Sequence, residues 1–193
     1  MASRLDPVVV LVVGIPGAGK TTLIDRATRS PEWVVLDLDR FRRRLPPALR
    51  KVPVPYPLYV VAVIAAIARH PYVVVESRGT YAWMRRLVAA CARVCRREPV
   101  LVLLDAPVED ATAGQVRRGR VAPAWVMRWN TAHWSRLLDE ARTGALAAEG
   151  WKRMIVLDRA DASQVESFSE LLVRGAVAHG SRLDTGLPND RPR

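Results

Sequence analysis

Gly14-Ile15-Pro16-Gly17-Ala18-Gly19-Lys20-Thr21 fits the pattern G-x-x-x-x-G-K-[ST] and follows the apolar run Val8 to Val13 directly. A β-branched run, a glycine-rich turn and a helix opening at the lysine make a phosphate-binding strand, loop and helix. The glycines let the backbone wrap close enough for its N–H groups to face phosphate oxygens, and the helix behind adds its positive end. The nucleotide-binding residues expected from this are Gly14, Ile15, Pro16, Gly17, Ala18, Gly19, Lys20, Thr21 and Thr22. Lys20 is placed to reach the β- and γ-phosphates of a nucleoside triphosphate, and the Thr21 hydroxyl to hold Mg²⁺.

Outward from this unit, short β-branched runs alternate with longer helical stretches. Strands are expected over residues 8–13, 33–36, 72–75, 100–104 and 153–157. Helices are expected over 20–29, from 39 onward, up to 69, and over 81–96, 107–117, 123–142 and 161–178. Continuous apolar strands separated by helices specify an α/β fold: a five-stranded parallel sheet with helices on both faces. In such sheets ligands bind beyond the carboxyl ends of the strands, so the residues following each strand carry the candidate chemistry. The run 58–68 reads as a buried helix, and the prolines at 46, 47, 53, 55 and 57 as a stiff connection bordering a substrate site.

After the second strand, Asp37-Leu38-Asp39-Arg40-Phe41-Arg42 puts two carboxylates and a guanidinium at the rim. Asp39 is the candidate base and Arg42, one helical turn on, the candidate grip on an anion. The same spacing equally fits Asp39 as a helix cap beside a solvated arginine face. After the third strand, Glu76 closes an apolar run in the position of an acid that holds the water shell of Mg²⁺; a strand-end acid capping the next helix is the alternative. Arg78 and Arg85 stand just beyond, within reach of a substrate, and Asp105 is a weaker metal candidate, more often structural. Residues 114–123, Gly-Gln-Val-Arg-Arg-Gly-Arg-Val-Ala-Pro, suit a short lid that closes over a triphosphate and neutralises developing charge. A basic loop that binds nothing is the other reading. Trp125, Trp129, Trp134 and His133 read as packing residues.

Composition bounds the rest. The chain of 193 residues is half hydrophobic and one-quarter charged, as expected of a single globular domain over residues 1–178, with a tail at 179–193 that has little to bury. Neither a signal peptide nor a membrane-length apolar run is present, so a cytoplasmic protein that makes no membrane contact is expected. Cys91 and Cys95 share a helix face and are read as reduced, partly buried thiols. The formal charge is +11, from 30 Lys and Arg against 19 Asp and Glu, and only positions 20, 51 and 152 are lysine. Such an excess favours anionic partners or substrates, although biased coding would also enrich arginine.

The phosphate loop after a strand, Asp39-x-x-Arg42 after the second strand, and Arg118-Gly119-Arg120 ahead of Val121-x-Pro123 resemble the small P-loop kinases grouped with polynucleotide kinases and zeta-toxin-type kinases. The resemblance covers most of residues 7–160. It implies an adenylate-kinase-like architecture with a short lid, ATP–Mg²⁺ as phosphoryl donor and Asp39 as general base. Its catalytic roles fall on Lys20, Asp39, Arg42, Arg118 and Arg120, and its metal-holding roles on Thr21 and Glu76. Two departures stand out: family lids commonly read R-N-x-x-R-G-R, whereas Gly114 takes the place of the first arginine, and Glu76 stands where Asp is usual. The expectation is transfer of the γ-phosphoryl of ATP to a hydroxyl of a small molecule or of a nucleic-acid 5′ end. A nucleotide-dependent switch or binding module, or a nucleic-acid-binding ATPase with slow hydrolysis, are the alternatives.

Overall fold

The computed structural model describes residues 5–30, 32–50, 55–117 and 124–177. The order of elements is β1 (Val8–Val13), α1 (Lys20–Ala27), β2 (Trp33–Leu36), α2 (Leu38–Arg44), α3 (Pro47–Arg50), α4 (Pro55–Arg69) and β3 (Tyr72–Ser77). Then follow α5 (Ala82–Val94), β4 (Glu98–Leu104), α6 (Val108–Arg117), α7 (Ala124–Arg142), a 3₁₀ turn (Ala145–Glu149), β5 (Arg153–Leu157), α8 (Arg159–Gln164) and α9 (Phe168–Val177).

The five strands form one sheet in the order β2-β3-β1-β4-β5, and every pairing is parallel. All six residues of β1 are buried, because helices cover both faces of a central parallel strand and leave no face for polar alternation. From β1 the sheet continues to β3 on one side and to β4 on the other. The crevice at this switch point opens at the carboxyl end of β1, where Gly14 begins the phosphate loop.

β3 runs two residues further than its apolar pattern, pairing Val12 with Glu76 and Val13 with Ser77. Glu76 is therefore fixed by sheet register. The expected buried helix over 58–68 is half-buried instead: Pro55, Tyr59, Val63 and Ile67 face the core while Val61 is 62% exposed. A four-residue repeat of contacts makes one stripe, and the apolar run simply exceeds it. The expected last helix divides in two. Asp158 caps α8 by accepting from the Asp161 N–H at 2.7 Å, and the Ser167 hydroxyl oxygen accepts from the Ser169 N–H at 3.1 Å where α9 starts. Arg26 takes up carbonyls around the break, donating to Ala162 and, at 2.7 Å, to Val165. Cys91 and Cys95 are free, half-buried thiols. No helix among the described residues is long and apolar enough to cross a membrane. The tail at 179–193 lies outside the described residues.

Candidate active site

A cleft of about 640 Å³ lies at the carboxyl end of the sheet, lined by Pro16, Gly17, Gly19, Lys20, Thr21, Asp37, Leu38, Asp39, Arg42, Tyr56, Glu76, Ser77, Arg78, Tyr81 and Gln115. Its floor is the phosphate loop. Ile15 and Ala18, 2% and 5% exposed, are sunk into the core and fasten the loop to the sheet. Lys20 is 7% exposed, and its Nζ donates to the carbonyls of Gly14 at 2.8 Å and Ile15 at 3.1 Å. Thr22 is exposed on α1 and does not line the cleft.

Thr21 and Glu76 meet across the floor, the hydroxyl donating to the two carboxylate oxygens at 3.3 and 3.2 Å. A hydroxyl and a carboxylate this close supply oxygen donors that suit a hard cation. Among the described residues no three His, Cys, Asp or Glu gather as a metal site, so a cation here would share its shell with phosphate oxygens and water, as Mg²⁺ prefers. The Tyr59 hydroxyl bonds to the carbonyls of Leu36 at 3.1 Å and Glu76 at 3.3 Å, tying the ends of β2 and β3 together beneath these groups.

Burial pushes the Glu76 carboxyl above its ordinary range; Lys20 pulls it back, Asp37 adds to the rise and the Thr21 hydroxyl opposes it. A carboxyl raised in this way holds its proton better in the folded chain than in the unfolded one. The stability it contributes is complete below the ordinary carboxyl pKa and is lost as pH rises through the raised value. Glu76→Gln is therefore expected to raise the melting temperature of the nucleotide-free protein at neutral pH, flatten its pH dependence and weaken Mg²⁺-dependent nucleotide binding. Thermal melts across pH, with and without Mg²⁺–ATP, check this. A variant that melts below wild type without nucleotide contradicts it.

Asp39 is not the cap of α2. Asp37 is: its Oδ1 accepts from the N–H groups of Asp39 at 2.7 Å and Arg40 at 3.4 Å. The helix starts one residue earlier than the basic turn expected from Asp39, because β2 ends at Leu36 and Asp37 is the first extended residue with an oxygen to offer. Asp39 thereby falls within the first turn of α2, exposed, on the cleft wall with Arg42. Phe41 anchors the same helix by an edge contact on Tyr59, 5.7 Å between ring centroids. The Asp37 spacing was readable in the sequence as a cap two residues ahead of Asp39, and its cleft position follows from the strand end.

Arg85 does not face the cleft. It is 5% exposed and grips Glu149 with both nitrogen arms, at 2.9 and 2.7 Å, while another nitrogen donates to the Gly79 carbonyl. Arg78, by contrast, is exposed and lines the cleft. Asp105 is structural, accepting from the Trp134 indole at 3.2 Å. Trp134 is buried as packing, but Trp129 is 43% exposed, contrary to a packing role; His133 lies against it, ring centroids 4.1 Å apart. Arg118 and Arg120 lie outside the described residues, as does the side chain of Trp125.

The missing lid arginine has a steric explanation. Gly114 and Gln115 belong to α6, not to a hinge loop, and α6 lies directly on the phosphate loop. Gly17, at φ +91°, has no room for a side chain, since a Cβ there would stand 2.0 Å from the Ala111 carbonyl oxygen. A Cβ at Gly114 would stand 2.7 Å from the Gly17 carbonyl oxygen. Gln115, 6% exposed, donates its Nε2 to the Pro16 carbonyl at 2.9 Å and approaches the Met127 sulfur at 3.0 Å. Sequence reading missed Gln115, whose only signal was its place beside an unexpected glycine. Because the opposing atom is backbone, Gly114→Ala is expected to cost about 1–3 kcal/mol through forced separation of α6 from the loop. A thermal melt equal to wild type contradicts that packing.

A family model described as an AAA domain matches residues 9–143. Among solved structures, the chain is similar to one from the PezAT toxin–antitoxin system of Streptococcus pneumoniae, at 19% identity and TM-score 0.62, covering 90% of this chain and 78% of that one. It is similar to a gluconokinase from Sinorhizobium meliloti at 17% identity and TM-score 0.61, covering 92% of this chain and 98% of that one. A third similarity is to Chaetomium thermophilum Kti12 in complex with ADP-AlF3, at 15% identity and TM-score 0.54, covering 86% and 98%. At these identities the likenesses are of fold. No curated protein matches the sequence.

Proposed function

The chain belongs to the AAA-domain family whose model spans residues 9–143, a P-loop kinase-like family, and on that premise we propose that it is an ATP- and Mg²⁺-dependent phosphotransferase acting on a hydroxyl acceptor. The observation that carries this reading is that one cleft is lined both by Lys20, Thr21 and Glu76, from α1 and the end of β3, and by Asp39 and Arg42, from α2 beyond the edge strand β2. The first group suits a triphosphate and the second an acceptor. A hydrolytic switch has no need of a carboxylate and an arginine standing apart from the phosphate loop.

Lys20 and the loop N–H groups hold the β- and γ-phosphates, while Thr21 and Glu76 are the residues that would hold Mg²⁺, directly or through water, and the ion would supply neutralisation of the charge that develops on the phosphates. Asp39 accepts the acceptor's hydroxyl proton as that oxygen bonds to the γ-phosphorus. The bond from the γ-phosphorus to the β–γ bridging oxygen breaks and ADP leaves. Arg42 steadies the acceptor or the carboxylate, and by the family resemblance Arg118 and Arg120 take the donor phosphates.

The test is ATP turnover with Mg²⁺ against a panel of 5′-hydroxyl oligonucleotides, nucleosides, sugars and antibiotics. Turnover stimulated by one class of hydroxyl supports the kinase. Slow phosphate release indifferent to every acceptor, with partner affinity that differs between ATP and ADP, supports the switch instead.

A further inference from the structure

We propose that the outer face formed by α4 and α5 docks on the surface of an anionic lipid bilayer, its aliphatic side chains entering the headgroup region while the surrounding arginines meet lipid phosphates. The proposal stands apart from the cleft and does not depend on the kinase reading.

The charge of the chain is not spread evenly. Residues 40–97 hold 13 of the 30 Lys and Arg but a single acid, Glu76, so the excess of +11 belongs to this stretch and the rest of the chain is close to neutral. Glu76 is on the cleft floor, facing Thr21. In the strand order β2-β3-β1-β4-β5, the steps from β2 to β3 and from β3 to β4 run the same way across the sheet. Right-handed crossovers therefore put α4 and α5 on one face, where α4 packs on β3 and α5, α5 on β1 and β4, and α2 on α4. α4 carries no charge before Arg69; it turns Tyr59, Val63 and Ile67 inward and leaves Leu58, Val61 and Ile64 exposed. α5 buries Met84, Val88 and Ala92 and leaves Trp83, Ala90 and Val94 exposed in one stripe, Val94 at 83%. Arginines frame these stripes: Arg44 at the end of α2, Arg69 at the end of α4, Arg86 and Arg93 along α5, and Arg96 beyond it are all exposed. Carboxylates stand at the margin. Glu149, buried against Arg85, is 3.8 Å from Arg86, and Asp6 and Glu98 share a surface hollow with Arg93 and Arg96, where Arg153 holds Glu98 at 2.7 Å.

A contiguous apolar patch exposed to water marks a contact surface, and a frame of one sign selects its occupant. A second copy of the chain would bring arginines against arginines. A nucleic acid would use the arginines and leave Leu58, Val61, Ile64 and Val94 idle, since bases stack on rings. A folded protein would have to supply both an apolar groove and an unbroken acidic rim. An anionic bilayer, fluid and of one sign, meets the face without matching its shape: aliphatic side chains enter the boundary between headgroups and acyl chains, and arginines stay with the phosphates. The expectation of a protein without membrane contact rested on the lack of a spanning run. No helix among the described residues crosses a bilayer, and docking on its surface needs none.

Co-sedimentation of the full chain with vesicles tests this, one set of phosphatidylcholine alone and one containing about 30% phosphatidylglycerol. Binding to the anionic vesicles is expected to be about tenfold or more stronger than to the neutral ones. Arg69→Gln with Arg93→Gln, removing two cations, is expected to weaken it by about 30-fold, and Val61→Ser with Val94→Ser by about tenfold. All four side chains are exposed, and thermal melts show that the variants are folded. Lipids brominated along the acyl chain are expected to quench part of the tryptophan fluorescence, and Trp83→Phe to remove that part. Equal binding to the two kinds of vesicle, or binding to neither, overturns the proposal. So does anionic binding that the valine pair leaves unchanged and that brings no quenching, because that is adsorption by charge alone. Double-stranded DNA that displaces the vesicles and binds the valine pair as well as wild type assigns the face to any polyanion and overturns it too, as does a soluble dimer that the valine pair abolishes.

Discussion

Asp39→Asn is expected to lower phosphoryl transfer by about 10²–10⁴-fold, the range in which a positioned general base contributes, while ATP affinity stays close to wild type. The separation follows from the architecture. On the proposed reading ATP is held by residues 14–21 at the end of β1, whereas Asp39 lines the same cleft from α2, beyond β2, with β3 standing between β2 and β1 in the sheet. Asparagine keeps the size of the side chain and its ability to accept a hydrogen bond but cannot take a proton. The cap of α2 is untouched, because Asp37 supplies it. Lys20→Ala should behave differently. A cation 7% exposed on the floor of the loop interacts with the phosphates in the bound ground state and in the transition state alike, so nucleotide affinity and turnover should fall together. Equilibrium ATP binding measured beside kcat and KM for both variants decides the matter. An Asp39→Asn protein whose ATP affinity drops as far as its turnover would remove Asp39 as the base.

Arg85→Ala is expected to destabilise the fold by about 3–5 kcal/mol, the usual loss when one partner of a buried ion pair is removed. Side-chain exposures of 6% for Arg85 and 7% for Glu149 leave the surviving carboxylate little water, and the Trp151 indole, 3.4 Å from one oxygen, and the exposed Arg86, 3.8 Å from the other, are weak substitutes. The pair joins α5 to the 3₁₀ turn, and the Arg85 donation to Gly79 extends it to the loop carrying Ser77 and Arg78. Arg85→Lys should recover little, since an ammonium cannot reproduce the two-armed grip. The double replacement Arg85→Met with Glu149→Met should recover much of the loss, because no buried charge is then stranded. Chemical denaturation of the series checks both statements. A single Arg85→Ala variant within a few tenths of a kcal/mol of wild type would show that water or Arg86 takes up Glu149 and would contradict the stranded charge.

Much of this architecture is legible in the sequence. The five β-branched runs predict the five parallel strands because each is short, apolar and bounded by turn residues, and the phosphate loop announces its own strand and helix. Legibility fails where tertiary contact decides. The break at residues 165–167 depends on a cap at Asp158 and on Arg26 reaching across from α1. Strand register, more than hydropathy, carries β3 on to Glu76 and Ser77. Arg85 and Arg78 look alike in sequence, seven residues apart after the same strand, yet one is buried against Glu149 and the other lines the cleft. Nothing local distinguishes them, because Glu149 is remote in the chain. Gly114 reads as a defect in a lid when compared with its family. Packed against Gly17 it is the residue that lets α6 lie on the loop. Tyr56 and Tyr81 stand far apart in sequence, and only the fold brings them to the lining of one cleft.

The fate of the γ-phosphate tests the central claim most directly. Protein supplied with γ-labelled ATP, Mg²⁺ and the panel of hydroxyl acceptors should place the label on one class of acceptor, and the Asp39→Asn protein should not. Label recovered only as inorganic phosphate, at a rate that neither the acceptors of the panel nor the Asp39 substitution alters, would contradict the account.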